Sequence, residues 1–337
     1  MAVKGATFLS FLLVASTSAL LAIRFLASFP LPPEPLAIHP SLASLPQDSR
    51  SWKIYPEDFF EGGQYASFPF GKVRYWLMGP KNGEKVVLVH GFSVPSIIWR
   101  DVAPQLASKG FRVLVYDLYG RGYSDAPWLP YDASLYTTQL ALLMQHVKWD
   151  QAHIAGLSMG GGVAAAFAAN FPHLVSNKVG LIASAGLMEA SDFSRTSKVM
   201  SSRVIQLIAS STPVRMYMQR LGSSDPPSNP LQEIVQIQSA HLPGYNHALA
   251  SSLRNGPLRG LSTSYEALSE LKKDVMLIWG TADRTVPYKY ASKIQELVPN
   301  STLLTIEDGG HDLTISHPSL VSDALIKFFR TPSARSR

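Results

Sequence analysis

The chain has 337 residues, 46% of them hydrophobic, which is enough apolar material to bury a large core in one or two domains. It contains no cysteine, and this excludes disulfides, thiolate catalysis and zinc–cysteine sites. The formal net charge of +6 is spread along the chain without a dense basic run, so no nucleic-acid partner is expected.

The N-terminal segment, residues 1–28, is predicted to be a membrane anchor or a signal segment. Residues 6–23 are uncharged and mostly apolar, and they lie between Lys4 and Arg24. As a helix this run would reach about 27 Å, close to the roughly 30 Å hydrocarbon core of a bilayer. The run is longer than a usual signal-peptide core and shows no sharp cleavage site. We therefore expect a single-pass membrane protein of the endoplasmic reticulum or secretory pathway, with secretion after signal cleavage as the alternative.

A proline-rich stretch, residues 29–50, is predicted to link this segment to an α/β core formed by residues 51–186 and 263–332. Apolar strand-like segments alternate with helix-like segments, which predicts a mostly parallel central sheet with helices on both faces. The predicted strands are Val73–Met78, Val86–His90, Arg112–Asp117, Ala152–Gly156, Lys178–Ser184, Val275–Gly280 and Leu303–Ile306. The predicted helices are Ile97–Lys109, Ser134–Val147, Met159–Phe171, Tyr288–Val298 and Leu320–Arg330.

Residues 187–262 break the alternation and are predicted to form a helical cap. They contain no convincing apolar strand and offer helix-like stretches near 197–209, 213–221 and 230–240. Several flexible or aromatic side chains there would suit a pocket for an acyl group, although each taken singly is better explained by packing of the cap onto the core. These are Phe193, Met200, Met216, Tyr217 and Met218.

The segment Gly156–Gly160 predicts a serine nucleophile on a strand-to-helix turn. An apolar strand precedes it, and a helix rich in glycine and alanine follows. Such a turn holds the nucleophile in a strained conformation, so the positions two residues away on both sides need glycine. We therefore predict that Ser158 is the nucleophile; the alternative is an ordinary serine in a tight glycine turn.

A serine hydroxyl needs a base, and the base needs an orienting acid. Asp283 follows the apolar strand 275–280, and His311 follows the strand 303–306 and two glycines. The order serine, acid, histidine is the one this strand–turn–helix arrangement requires. Asp283 could instead cap a helix that begins near Pro287. Other candidates for the acid are Glu189, Asp192, Asp308 and Asp312.

The oxyanion of an acyl-transfer reaction needs aimed N–H donors. The apolar strand 86–89 ends in His90-Gly91-Phe92, and the glycine allows the backbone to turn so that the next N–H points into the site. The backbone N–H groups of Phe92 and Met159 are therefore the predicted donors. His90 is interpreted as a brace for the turn rather than as a second base.

Taken together, these motifs resemble those of the α/β-hydrolase superfamily, in particular its cap-bearing serine esterase, lipase and C–C hydrolase branch. The resemblance extends over about residues 68–330. Epoxide hydrolases and haloalkane dehalogenases of that superfamily use an aspartate nucleophile, so Ser158 argues against their chemistry. The motifs that carry the resemblance are His90–Phe92, Asp117–Ser124, Gly156–Gly160, Gly280–Asp283 and Gly309–His311.

The resemblance implies a serine hydrolase that cleaves lipid-like carboxylic esters, such as acylglycerols or lysophospholipids, through an acyl-enzyme. Neither a metal nor an organic cofactor is expected. The same residues would also serve a C–C bond hydrolase or an acyltransferase, and a non-catalytic binding protein on this fold is a further alternative. The sequence leaves the oligomeric state open.

Overall fold

The computed structural model describes residues 2–27, 35–202 and 229–332, together with positions 204, 205, 208, 211, 213, 214, 216 and 217. It divides into two compact units, Met1–Leu36 and Ala37–Arg337. Met218 and most of the predicted helix 213–221 lie outside the described residues.

The first unit contains helix α1, Ala2–Ala27. Hydroxyl side chains interrupt its apolar run, and Ser16 and Thr17 donate hydrogen bonds to the Leu13 carbonyl at 3.0 and 2.7 Å. Across the described ranges, no helix combines the length and the apolar character needed to cross a bilayer. The predicted membrane anchor at residues 6–23 is therefore wrong. Three further predictions depended on this anchor and are withdrawn with it: the single-pass topology, the membrane association, and the endoplasmic-reticulum or secretory localisation.

The second unit is built on an eight-stranded sheet in the order β10-β9-β8-β7-β4-β5-β3-β2. Strands β2 and β3 pair antiparallel with each other, β3 pairs antiparallel with β5, and the other neighbours are parallel. The strands of this sheet are β2 Gly63–Phe68, β3 Gly71–Met78, β4 Glu84–Val89, β5 Phe111–Tyr116, β7 Ala152–Leu157, β8 Val175–Ile182, β9 Asp274–Gly280 and β10 Thr302–Ile306.

The central strands are buried on both faces. All six residues of β7 are buried, as are the last four of β4. Near-continuous apolar runs of this kind are typical of parallel strands covered by helices on both sides. The predicted α/β fold with a mostly parallel sheet is therefore confirmed.

A short two-stranded sheet joins the start of the second unit to its core. Strand β1, Ile38–His39, pairs antiparallel with β6, Ala126–Pro127. Close by, the Leu42 N–H donates to the Gly122 carbonyl at 2.9 Å, and the Leu42 side chain is fully buried. Residues 37–50 are thus packed onto the core.

The helices of the second unit follow most of the predicted stretches. The stretch predicted as one helix from Ile97 forms a 3-10 turn, Ser96–Trp99, and then helix α3, which begins at Val102. Pro104 explains this break, because proline fits only the first turn of a helix. The remaining helices outside the 187–262 interval are α2 Arg50–Ile54, α3 Val102–Ser108, α4 Ala133–His146, α5 Met159–Asn170, α10 Lys289–Leu297, α11 Leu313–Ser316 and α12 Pro318–Arg330.

The chain between β8 and β9 is helical wherever the structure describes it as regular. Its helices are α6 Arg195–Met200, α7 Pro230–His241, α8 Pro243–Asn255 and α9 Ser262–Glu270. Helix α7 contacts the core through an ion pair between Glu233 and Arg50. Helix α8 contacts it through Tyr245, whose hydroxyl donates to the Ser93 carbonyl at 3.0 Å.

Candidate active site

Ser158 lies at the sharp turn between strand β7 and helix α5. Its backbone has φ 57° and ψ −123°, a region that residues with a Cβ rarely adopt. The surrounding backbone holds it there: the Ser158 N–H donates to the Ile182 carbonyl at 2.9 Å, and its own carbonyl accepts from the N–H groups of Gly161 and Ala185, each at 2.9 Å. The predicted strand-to-helix turn is present, and it carries local strain at the serine.

The glycines around Ser158 are required by close packing. A Cβ on Gly156 would lie 2.0 Å from the Gly160 carbonyl oxygen, and a Cβ on Gly160 would lie 2.2 Å from the Val89 carbonyl oxygen. A Cβ on Gly161 would meet Ser184 Oγ at 2.2 Å. The end of β4 and the segment just after β8 therefore approach the start of α5 more closely than any other residue type allows.

Asp283 and His311 are brought together by the turns after β9 and β10. His311 Nδ1 lies 2.8 Å from Asp283 Oδ2, and the carboxylate side chain has no exposed area, whereas a quarter of the imidazole is exposed. The other oxygen, Asp283 Oδ1, accepts from the N–H groups of Thr285 and Val286 at 2.8 and 2.9 Å. Asp283 thus caps its own turn and orients the histidine at the same time.

The two turns are bonded to each other through the backbone. The Ala282 N–H donates to the Gly309 carbonyl at 3.0 Å, and the Asp308 N–H donates to Thr281 Oγ1 at 2.9 Å. A Cβ on Gly280 would lie 2.2 Å from the Gly309 oxygen. This close contact fixes the carboxylate and the imidazole relative to each other.

The other acids considered from the sequence have different partners. Glu189 pairs with Lys293 at 2.6 Å, and the hydrogen bond from that lysine lowers the pKa of Glu189. Asp192 pairs with Lys289 at 2.9 Å. In the part of the chain that the structure describes, only Asp283 among the candidate acids forms a hydrogen bond with His311.

The loop after β4, residues 90–93, lies against the serine; we call it the oxyanion loop. A Cβ on Gly91 would be 3.4 Å from Ser158 Cβ and 3.9 Å from Ser158 Oγ. Within the described ranges, neither the Phe92 N–H nor the Met159 N–H donates a hydrogen bond to the protein. Both amides therefore have no protein acceptor among the described residues, and their role as oxyanion donors stays a prediction.

His90 supports this loop from the interior. Its Nε2 accepts from the Leu118 N–H at 2.8 Å, so the proton is on Nδ1, which donates to the Gly91 carbonyl at 2.9 Å. Burial, aided by the nearby charge of Arg121, lowers the pKa of His90 from 6.5 to about 3. His90 is therefore a neutral structural histidine that fixes the Gly91–Phe92 peptide.

Ser158 and His311 do not share a hydrogen bond in this structure, where the hydrogen bonds of the described residues include none between Ser158 Oγ and the imidazole. A loose nucleophile–base contact is common in unliganded enzymes and tightens when substrate binds. Ser158, Asp283 and His311 nevertheless all follow the carboxyl ends of parallel strands, β7, β9 and β10. Those ends form one edge of the sheet, the edge at which open α/β sheets bind ligands.

The described residues contain no group of three or more His, Asp or Glu side chains arranged to hold a metal ion. The chemistry that the site offers comes from a serine, an imidazole paired with a carboxylate, and two unused backbone amides.

Comparison with known proteins identifies the family. A model of the alpha/beta hydrolase family matches residues 86–324, more than half of the chain. The chain belongs to the alpha/beta hydrolase family. The resemblance found in the sequence motifs is thereby confirmed.

Relatives of this alpha/beta hydrolase carry several activities in their names. This chain is 29% identical over 262 residues to a pimeloyl-[acyl-carrier protein] methyl ester esterase from Aliivibrio salmonicida, and the match covers 76% of this chain and 95% of the relative. It is 27% identical over 243 residues to a 2-hydroxy-6-oxo-2,4-heptadienoate hydrolase from Pseudomonas putida, covering 68% and 83% of the two chains. The crystal structure of carboxylesterase CesB from Bacillus subtilis superposes with a TM-score of 0.65 at 19% identity, over 84% of this chain and 96% of that one. At that identity the likeness shows the fold.

Proposed function

We propose that this alpha/beta hydrolase is a serine esterase that cleaves carboxylic esters through an acyl-enzyme. The observation that carries the proposal is the 2.8 Å pair between His311 and Asp283 at the sheet edge where Ser158 occupies its strained turn. A carboxylate that orients an imidazole near a serine on such a turn is the arrangement that activates a hydroxyl nucleophile.

In the proposed reaction, Asp283 accepts the hydrogen bond from His311 Nδ1–H, so that Nε2 is free to act as the base. Nε2 takes the proton of Ser158 as Oγ attacks the ester carbonyl, and Asp283 stabilises the resulting imidazolium. The imidazolium then returns its proton to the leaving alcohol, and the acyl group remains on Ser158. Water, deprotonated by the same imidazole, then attacks the acyl-enzyme, and the imidazolium returns the proton to Ser158 Oγ as the carboxylic acid leaves.

The Phe92 and Met159 amides would stabilise the negative charge on the tetrahedral oxygen. Met159 is the first residue of helix α5, so its N–H also adds the positive end of the helix dipole. Loss of one such donor costs about 3–4 kcal/mol of transition-state stabilisation in enzymes of this kind. The mechanism requires neither a metal ion nor an organic cofactor.

A lipid-like acyl group is the substrate that we favour. The chain between β8 and β9 presents large apolar side chains that are more than half exposed, and exposed apolar groups in such numbers indicate a surface for an apolar ligand. They are Val199, Val204, Ile208, Met216 and Tyr217. We propose that residues 187–262 act as a cap over the site and that these side chains receive the acyl chain of a small-molecule ester.

Cleavage of an activated C–C bond is the second candidate, because a relative 27% identical to this chain is named as a hydrolase of 2-hydroxy-6-oxo-2,4-heptadienoate. The same serine, histidine and aspartate would serve that reaction. Analysis of the products of a vinylogous diketone and of a matched ester separates the two candidates.

The experiment is labelling of the full-length chain with a fluorophosphonate probe, followed by turnover of p-nitrophenyl esters, acylglycerols, lysophospholipids and lactones. We expect Ser158→Ala to abolish both labelling and turnover. Ser184→Ala is the matched control, because Ser184 packs against the same helix but its hydroxyl is bonded to Tyr265 at 2.9 Å. Labelling retained in Ser158→Ala would refute the assignment, and a wild-type chain that is neither labelled nor active would indicate a binding protein.

A further inference from the structure

Arg121 is a fully buried cation in the turn after β5. Within the described part of the chain it forms no ion pair with a carboxylate, and neutral groups take its hydrogen bonds instead. The Tyr119 carbonyl accepts from Nη1 at 3.0 Å, and the Tyr136 hydroxyl accepts from Nη1 at 2.6 Å. A buried charge is costly unless hydrogen bonds satisfy it, so the remaining two hydrogen bonds of Arg121 are informative.

Those two contacts join the oxyanion loop to helix α8. Arg121 Nε donates to the Phe92 carbonyl at 3.0 Å, and Nη2 donates to Ser252 Oγ at 3.0 Å. Ser252 is itself fully buried, and its hydroxyl is bonded to Tyr136 at 2.7 Å. The guanidinium therefore bridges a loop of the core and a helix of the proposed cap.

A second residue of the same helix reaches the next carbonyl of the loop. Tyr245 Oη donates to the Ser93 carbonyl at 3.0 Å, and Tyr245 is almost completely buried. Tyr245 and Ser252 are seven residues apart, so they lie on one face of α8, two turns from each other. This face of α8 holds two successive carbonyls of the loop, one directly and one through Arg121.

These contacts complete the restraint on Phe92. The peptide that carries the Phe92 N–H is fixed on its other side by His90, which donates to the Gly91 carbonyl at 2.9 Å. The peptide that carries the Phe92 carbonyl is fixed by Arg121. Because both peptides are fixed, two side chains determine the direction of the Phe92 N–H. One is His90 in the core, and the other is Arg121, which is bonded to Ser252 of α8.

We propose that helix α8 sets the position of the oxyanion loop, and that Arg121, Ser252 and Tyr245 are positioning residues for the Phe92 amide. This inference rests on the proposed function, since it assigns a catalytic use to that amide. Substrate contacts that change the seating of α8 would in this way change the stabilisation of the oxyanion. None of the three side chains is assigned a direct contact with the reacting atoms.

The test uses Ser252→Ala and Tyr245→Phe in the full chain, with Ser251→Ala as the matched control. Ser251 is the adjacent buried serine of the same helix, and its hydroxyl accepts from the Tyr131 N–H at 2.9 Å instead of contacting Arg121. Because a misaligned oxyanion donor weakens the transition state alone, we expect each test variant to lower kcat about tenfold and to change KM by less than about twofold. Ser251→Ala should leave kcat within about twofold of wild type.

Arg121→Lys adds a second test in the same assay. A lysine keeps the charge but cannot reach the Phe92 and Ser252 oxygens together, so it should lower kcat in the same way, with an equal factor for short and long acyl chains. An equal loss of kcat in Ser251→Ala would overturn the inference, as would an unchanged kcat in both Ser252→Ala and Tyr245→Phe. So would a loss confined to one acyl-chain length, which would make these residues part of the substrate pocket.

The proposed function and this inference fail in different ways. A wild-type chain whose Ser158 is not labelled by a fluorophosphonate refutes the esterase and the positioning role together. A wild-type chain that is labelled and active, with Ser252→Ala, Tyr245→Phe and Ser251→Ala all indistinguishable from it, refutes the positioning role alone.

Discussion

His90 offers a quantitative prediction about the pH dependence of stability. Burial, with a contribution from Arg121, lowers its pKa from 6.5 to about 3 in the folded chain. As the pH falls, the unfolded chain therefore takes up a proton at this residue before the folded chain does. The stability contributed by neutral His90 is complete above about pH 6.5 and is lost progressively toward pH 3.

The size of the effect follows from proton linkage. Between the two pKa values, the free energy of unfolding falls by about 1.4 kcal/mol per pH unit for one such group. From pH 7 to pH 5 the loss amounts to about 2 kcal/mol. Protonation would also place an Nε2–H against the Leu118 N–H, where the structure has a hydrogen bond of 2.8 Å.

The perturbation is His90→Gln, which does not titrate and can still offer an oxygen to the Leu118 N–H. We expect the variant to be less stable than wild type at pH 7 and to lose about 2 kcal/mol less between pH 7 and pH 5. Urea unfolding followed by tryptophan fluorescence measures this difference, because Trp76, Trp99 and Trp279 are fully buried. Equal pH slopes for the two chains would refute the view that His90 is held neutral by burial.

Two further predictions concern the serine site. Asp283→Asn should lower kcat for esters by about 10⁴-fold while the chain remains folded, because the amide favours the wrong tautomer of His311. Steady-state kinetics measure the loss, and circular dichroism shows whether the variant is folded. A loss below about tenfold would contradict the prediction. Gly160→Ala should lower the free energy of unfolding by about 3 kcal/mol, since the new Cβ would lie 2.2 Å from the Val89 carbonyl oxygen. An unchanged urea midpoint would show that helix α5 can move away from β4 without loss of stability.

Those parts of the fold that depend on local sequence could be predicted. The buried parallel strands have continuous apolar runs, and the glycines at 156 and 160 mark the turn between β7 and α5. The acid and base turns were predicted because each follows an apolar strand and because His311 is preceded by two glycines. The 2.8 Å contact between Asp283 and His311 depends on the register of β9 against β10, and no local sequence pattern reveals that register.

Local sequence patterns do not predict β2 and α8, whose stability comes from contacts with distant residues. Strand β2, Gly63–Phe68, is an edge strand with a mixed polar pattern, and its pairing with β3 is what makes it a strand. Helix α8 was not predicted because its buried face carries Ser251 and Ser252 where an amphipathic pattern would have apolar residues. These serines are buried because they meet the Tyr131 N–H and Arg121.

The predicted membrane anchor failed for a different reason. Counting the uncharged residues between Lys4 and Arg24 gives a run of the right length, but length alone does not determine transfer into hydrocarbon. Within the described residues, no helix is both long enough and apolar enough to cross a bilayer.

Arg121 affects the oxyanion loop in two ways that the sequence could not reveal. Its side chain donates to the Phe92 carbonyl, and its charge helps to lower the pKa of His90. Burial, with the smaller contribution of that charge, keeps His90 Nε2 unprotonated, which preserves the bond from Leu118 and, through Nδ1, the bond to the Gly91 carbonyl. A neutral residue at position 121 would therefore release the Phe92 carbonyl while burial still keeps His90 neutral, whereas Ser252→Ala would remove only the contact of the guanidinium with α8.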